Sequence, residues 1–366
     1  MKCLNADSPA TGSIVSRRAA IAGALAGALI RPVAAAVAPK GSFVAGGQRG
    51  STALLALFDT TTGVARELIS LGGRAHSVAP VGRNGTVVAV ARRSDRWAVV
   101  IDPADPQSAV TVRPAEGHAF SGHVAVSPDG VFAAFVEIRA SDALGFLSLR
   151  EAGGAWREVG RLETSGIGPH MALWIDDRHI AVANGGYYDV GRVASPDGHI
   201  TASLAVIDRL SGRPAALVEA GASYADYSLR HIAAVPNGLA VVLQRLGTSL
   251  ADTPPAALWH GGHLEPLPMA AADPLRGYCS DVAVAGDCIL TTSRLAGMVG
   301  AWRRSDRVWL GAAYLADVGA LAVNGNGNCF AAAEDGTLAG IVLDPGPAVG
   351  WRQRVAFGWD NHGAFL

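Results

Sequence analysis

The chain has 366 residues, half of them hydrophobic and 17% charged, so it can bury a large core, and its 45 glycines imply many tight turns. With 30 basic and 31 acidic residues the formal net charge is −1, and the basic residues are scattered. That balance argues against a nucleic-acid surface or an anionic membrane surface as the partner.

The first 38 residues differ in kind from the rest. Ser16-Arg17-Arg18 precedes a 12-residue Ala/Gly-rich apolar stretch, Ala19 to Ile30, and the small residues from Ala34 to Ala38 offer cleavage sites. This is the pattern of a twin-arginine export signal. The apolar stretch falls short of the roughly 20 residues a bilayer-spanning helix needs, so stable membrane insertion after cleavage is not expected. The expected organisation is a signal over 1–38, a single domain over 39–366 and a periplasmic location.

Residues 42–71 supply three strand-like runs, Ser42 to Gly46, Ala53 to Phe58 and Ala65 to Leu71. A repeat then takes over. His76-Ser-Val-Ala-Pro turns at Arg83-Asn84-Gly85, and His123-Val-Ala-Val turns at Ser127-Pro-Asp-Gly130. His170-Met-Ala-Leu-Trp turns at Asp176-Asp177, and His231-Ile-Ala-Ala-Val turns at Pro236-Asn-Gly238. Asp281 and Gly319 open two further copies without a histidine, and His362 opens a last copy that ends at Leu366.

The starts are spaced by 47, 47, 61, 50, 38 and 43 residues, which brackets the length of a four-stranded propeller blade. Apolar runs joined by Pro-Asp-Gly and Pro-Asn-Gly turns read as β-hairpins, and no helical period follows residue 40. The last copy has no partner strands after it, and residues 42–71 have no inner strand before them. Joining the two predicts an all-β, seven-bladed propeller of the YVTN/WD40 kind, its ring closed by the C-terminal strand on the N-terminal ones.

In such a ring the residues just before each inner strand gather at one mouth of the central channel. The repeat therefore predicts a cluster of His76, His123, His170, His231 and His362, with Asp281 at the sixth position and Gly319 at the seventh. Five imidazoles and one carboxylate suit iron, copper, zinc or nickel, whereas calcium and magnesium want oxygen. Any one of these histidines, taken alone, reads better as satisfying a loop carbonyl; the shared phase is what favours a metal site, with iron or copper as the expected cofactor. Asp226, Asp281, Asp360 and Asn361 lie beside the ring positions and suit a supporting shell. Arg74 and Arg230, one or two residues before ring histidines, read equally as holders of an anionic ligand and as solvated loop residues.

Other candidates are weaker. His118 either caps the same pocket or sits on a surface loop, and His260-Gly-Gly-His263 reads better as an exposed pair in an outer hairpin than as a metal site. His179 and His199 read as structural or exposed. Cys288 and Cys329 fall at matching points after their turns and read as small buried residues, while Cys3 lies in the signal and Cys279 is left over. There is no CxxC, no Gly-x-Ser-x-Gly elbow and no phosphate loop, since Ser165 to Pro169 opens a strand rather than a helix.

Gly117-His118 to Gly130, Gly166-Ile-Gly-Pro-His170, Val182-Ala-Asn-Gly-Gly186, Leu229-Arg-His231, Arg276-Gly-Tyr278 and Trp359-Asp-Asn-His362 together resemble a family of exported bacterial proteins known as domain of unknown function 1513. The resemblance runs from about residue 40 to the C-terminus. It implies a seven-bladed propeller behind a twin-arginine signal, with the motif histidines at His123, His170, His231 and His362. Members often occur near imelysin-like and di-haem peroxidase-like proteins, which implies periplasmic iron or other metal handling. Where members carry a longer acidic insertion after the Asn-Gly-Gly motif, this chain has Tyr187 to Gly198.

Three functions follow as expectations. One is a periplasmic metal-binding accessory protein that works with metal-uptake or redox partners. Another is a metal-dependent hydrolase or oxidase with a metal-activated water. The third is a scaffold that binds a partner protein and uses its histidines structurally.

Overall fold

In the computed structural model, the described residues are 41–82, 85–93, 95–187, 200–246, 253–269 and 274–366. The predicted export signal, the Arg83-Asn84 turn and His199 lie outside them. The described residues form seven four-stranded antiparallel sheets. Their inner strands are β4 (Ala75–Val81), β8 (His118–Val126), β12 (Pro169–Trp174), β16 (Tyr227–Val235), β20 (Asp281–Ala285), β24 (Val318–Val323) and β28 (Gly358–Phe365). Each inner strand touches the next, and β28 touches β4, so the sheets stand in a ring as the blades of a propeller.

Closure follows the sequence reading. β28 pairs antiparallel with β1 (Ser42–Arg49), which continues to β2 (Thr52–Asp59) and β3 (Val64–Ser70). Phe43 stands opposite Phe365 and Gly47 opposite Trp359. The blade is completed by strands from the two ends of the domain, leaving no sheet edge open at the junction.

Seven apolar clusters hold the ring, each between two neighbouring blades. The middle strands are buried on both faces, so they read as continuous apolar runs such as Val87 to Ala91 and Ile180 to Ala183. Small alanines let the sheets approach. Phe43, Leu54, Phe330, Leu338 and Trp359 fill the junction beside the closing blade. Each such burial stabilises by about 1.5–3 kcal/mol relative to exposure. Strands on the rim, such as β3, alternate instead between exposed and covered residues, as a half-solvated edge requires.

Six of the seven inner strands break register near their start. His76, His170, Arg230 and Gly319 are each an extra residue on β4, β12, β16 and β24, while Ser121 to His123 and Asp360 to His362 form longer irregularities on β8 and β28. β20, which carries Asp281, pairs without a shift. A bulge turns a side chain away from its strand face. Here the bulges turn the ring residues toward the channel.

Candidate metal centre

The five ring histidines are all at least nine-tenths buried and lie against one another. His123 is the hub, its ring centre 4.8–5.2 Å from those of the other four. His76, His123, His170 and His231 offer ligand atoms that all lie within 4.8 Å of one another, a group that could hold a metal ion. His362 stands outside that tightest group but packs 4.9 Å from His76 and 4.5 Å from His231.

Local backbone explains the convergence. Gly122 has φ +108°, a conformation that disfavours a side chain, and a Cβ there would stand 2.4 Å from the His76 ring. The glycine therefore admits His76 beside its neighbour His123. Gly168, at φ +57°, plays the corresponding part for Tyr187, whose carbonyl oxygen would lie 2.4 Å from an added Cβ.

Burial comes first, and neighbouring positive charge after it, in holding His76, His123, His170 and His231 well below the usual imidazole value. They are therefore neutral near pH 7, which leaves each ring a lone pair. Both ring nitrogens of His76, Nε2 of His123, Nδ1 of His231 and Nε2 of His362 have no hydrogen-bond partner. Buried polar atoms are normally paired, so orphans concentrated in one cluster point to a ligand.

Hydrogen bonds assign some of the protons. His170 Nδ1 lies 3.2 Å from Arg93 and 3.3 Å from Arg230, and a guanidinium only donates. Neutral His170 thus keeps its proton on Nε2 and donates it to His231 Nε2, 3.0 Å away. Coordination through His170 Nε2 would displace that proton, whereas Nε2 of His76, His123 and His362 is not engaged in this way.

The other predicted site residues divide. Asp281 is not in the tight group: its Oδ1 accepts the Val282 N–H, its Oδ2 accepts the Leu321 N–H, and Oδ2 stands 3.1 Å from His362 Nδ1. It therefore orients His362, leaving Nε2 toward the cluster. Arg74 donates to Asp360 at 2.7 Å and pairs with Glu334 at 3.1 Å, away from the histidines. Arg230 is 4% exposed, packs 4.9 Å over the Tyr187 ring and lines the cavity beside the cluster. His231 joins the cluster as its phase predicts, although the extra residue of its strand is Arg230, and both side chains reach the cavity.

Asn361 also lines that cavity, while Asp360 serves Arg74 and burial pushes its carboxyl up. The remaining described histidines lie apart: His118 bonds the Glu116 carbonyl and packs on Phe146, His179 bonds Asp176, and His260 and His263 face one another across an exposed hairpin. Cys288 and Cys329 open second strands as expected, but only Cys329 is fully buried, and that burial pushes its thiol up to about 12.

The cavity holds about 300 Å³ and opens onto His76, His170 and His231. Its wall includes Arg92, Arg93 and Arg294, which the sequence reading missed. Arg92-Arg93 and Arg294 directly follow the second strands of their blades, which end at Ala91 and Ser293. Second strands run back to the mouth where inner strands begin, so that phase of the repeat was the available signal.

Comparison with known proteins supports the fold. The profile of the family described as "Protein of unknown function (DUF1513)" matches residues 69–366. No curated protein matches the chain. Solved structures are similar at low identity. A candidate 6-phosphogluconolactonase from Bacteroides fragilis is 12% identical at TM-score 0.58, over 89% of this chain and 98% of that one. Another from Bacteroides uniformis is 15% identical at TM-score 0.59, over 89% and 99%. Hydrazine synthase from Kuenenia stuttgartiensis is 16% identical at TM-score 0.55, over 86% and 95%. At such identities the likeness is one of fold and carries no activity.

Proposed function

The chain belongs to the DUF1513 family, and we propose that it is a periplasmic accessory protein that binds a transition metal, iron or copper, through the histidine cluster at its channel mouth. The observation that carries this reading is the set of buried, neutral imidazoles with orphaned ring nitrogens. Imidazole favours these metals over calcium and magnesium. His76, His123, His170 and His231 would hold the ion, with His76 and His123 outside the His170–His231 hydrogen bond and His362 aligned by Asp281. The twin-arginine pattern in residues 1–38 supports export, and metal-uptake or redox proteins are the partners this role would need.

A second reading rests on the cavity. Because it adjoins three of the histidines, a substrate could approach a bound metal, as a metal-dependent hydrolase or oxidase would require. In either case the chain's own residues supply neutral ligands, exclude bulk water from the cluster and place guanidinium donors beside it.

Elemental analysis of the mature protein, purified without an affinity tag from its own periplasm, tests the proposal. Near-stoichiometric iron or copper is expected, and the His123→Ala/His231→Ala double variant should lose it while keeping the far-ultraviolet signature of the propeller. A protein that carries no metal and takes up neither iron, copper nor zinc in titration would sink the reading and leave the scaffold role. So would a double variant with its full metal content.

A further inference from the structure

The cavity above the histidines has a wall of unusual composition. Arg92, Arg93, Arg230 and Arg294 all line it, and among the described residues no carboxylate does. Arg294 is balanced from outside by Glu334, which also pairs with Arg74. Arg230 and Arg92 have no carboxylate in ion-pair contact among the described residues. Arg230 is 4% exposed, and its Nε has no hydrogen-bond partner. The Tyr187 ring lies beneath Arg230 at 4.9 Å and Arg93 at 5.8 Å, which fixes two guanidiniums side by side.

Gathering like charges where solvent is scarce costs free energy unless an opposite charge joins them. Arginine keeps its proton near neutral pH, so these side chains stay charged. An anion in the cavity would supply that opposite charge. Guanidinium matches the two oxygens of a carboxylate or phosphate, and Gln244, Tyr278 and Asn361 add neutral groups to the same wall. Four guanidiniums around about 300 Å³ suit a small molecule with more than one anionic group.

We propose that this cavity binds a small organic or inorganic polyanion bearing two or more carboxylate or phosphate groups, held by Arg92, Arg93, Arg230 and Arg294. The site deepens the metal reading, since such an anion lies where it can complete a metal's coordination, but it stands on the arginines alone.

Isothermal titration of the metal-free mature protein at low salt, with citrate, pyrophosphate and inorganic phosphate as probes, tests it. One equivalent of citrate or pyrophosphate should bind, more tightly than phosphate and more weakly as salt rises. Preference for citrate assigns the carboxylate source, and preference for pyrophosphate the phosphate source. Arg230→Gln and the half-buried Arg92→Gln should each weaken binding at least tenfold, and thermal melting shows whether each variant is folded. Failure of all three probes to bind, or unchanged binding in a folded Arg92→Gln protein, would overturn the proposal. Anion binding by a protein that takes up no metal would leave this inference standing and remove the metal role; metal uptake with no anion binding would do the reverse.

Discussion

His123 touches all four of the other ring histidines, and the glycine before it leaves the room that His76 occupies. The role of Asp281 is set just as locally. Two backbone N–H groups and the His362 ring converge on its carboxylate, so it is an acceptor throughout and positions His362. Outer partners of this kind typically change metal affinity 10–100-fold when replaced. Asp281→Asn places an amide N–H₂ where donors already point, and should cost about 1–3 kcal/mol in stability. Denaturant melts and a copper or iron titration of the variant check both effects. A variant that is destabilised but binds metal as tightly as the parent would separate Asp281 from the metal centre. Its sixth position in the repeat was legible in the sequence; its part behind His362 was not, because that depends on a contact across two blades.

At the level of strands, the bulges and the closing blade govern the site. A regular strand alternates its side chains, so one residue in two would point to the channel; an added residue at the mouth lets Arg230 and His231 both line the cavity. No turn motif or period announces such a bulge, so the sequence places His231 in the ring without showing that Arg230 is the extra residue beside it. The closing strand β28 carries His362 to the cluster and Trp359 to the junction with β24. Trp359 packs edge-on to Phe43 at 5.4 Å and to Phe357 at 4.8 Å. Trp359→Ala should therefore destabilise the ring by about 3–5 kcal/mol. Chemical denaturation measures this, and a loss below about 1 kcal/mol would mean that the strand contributes little to closure.

For the molecule as a whole, burying four imidazoles ties stability to pH. Their folded values lie well below the unfolded value of 6.5, so above about pH 6.5 both states are neutral and the histidines contribute no slope. Below that pH the unfolded chain takes up protons that the folded chain excludes, and stability falls. Each histidine contributes up to about 1.4 kcal/mol per pH unit in that window. Arg93, Arg230 and His362 face the same rings and oppose their protonation further. Melts of the metal-free protein between pH 7.5 and 5 should show the decline, with a shallower slope in the His123→Ala/His231→Ala variant; equal slopes would place the proton uptake elsewhere. The blade count, the closure of the two ends and the membership of the five histidines in one cluster were determined by the sequence itself, because a repeat that returns a residue to one phase must, in a ring, return it to one place. Only the tertiary structure decided which arginines face that place, which nitrogens are left without partners and that Arg74 is occupied by carboxylates. Those outcomes rest on contacts between strands far apart in the chain, which no local pattern encodes.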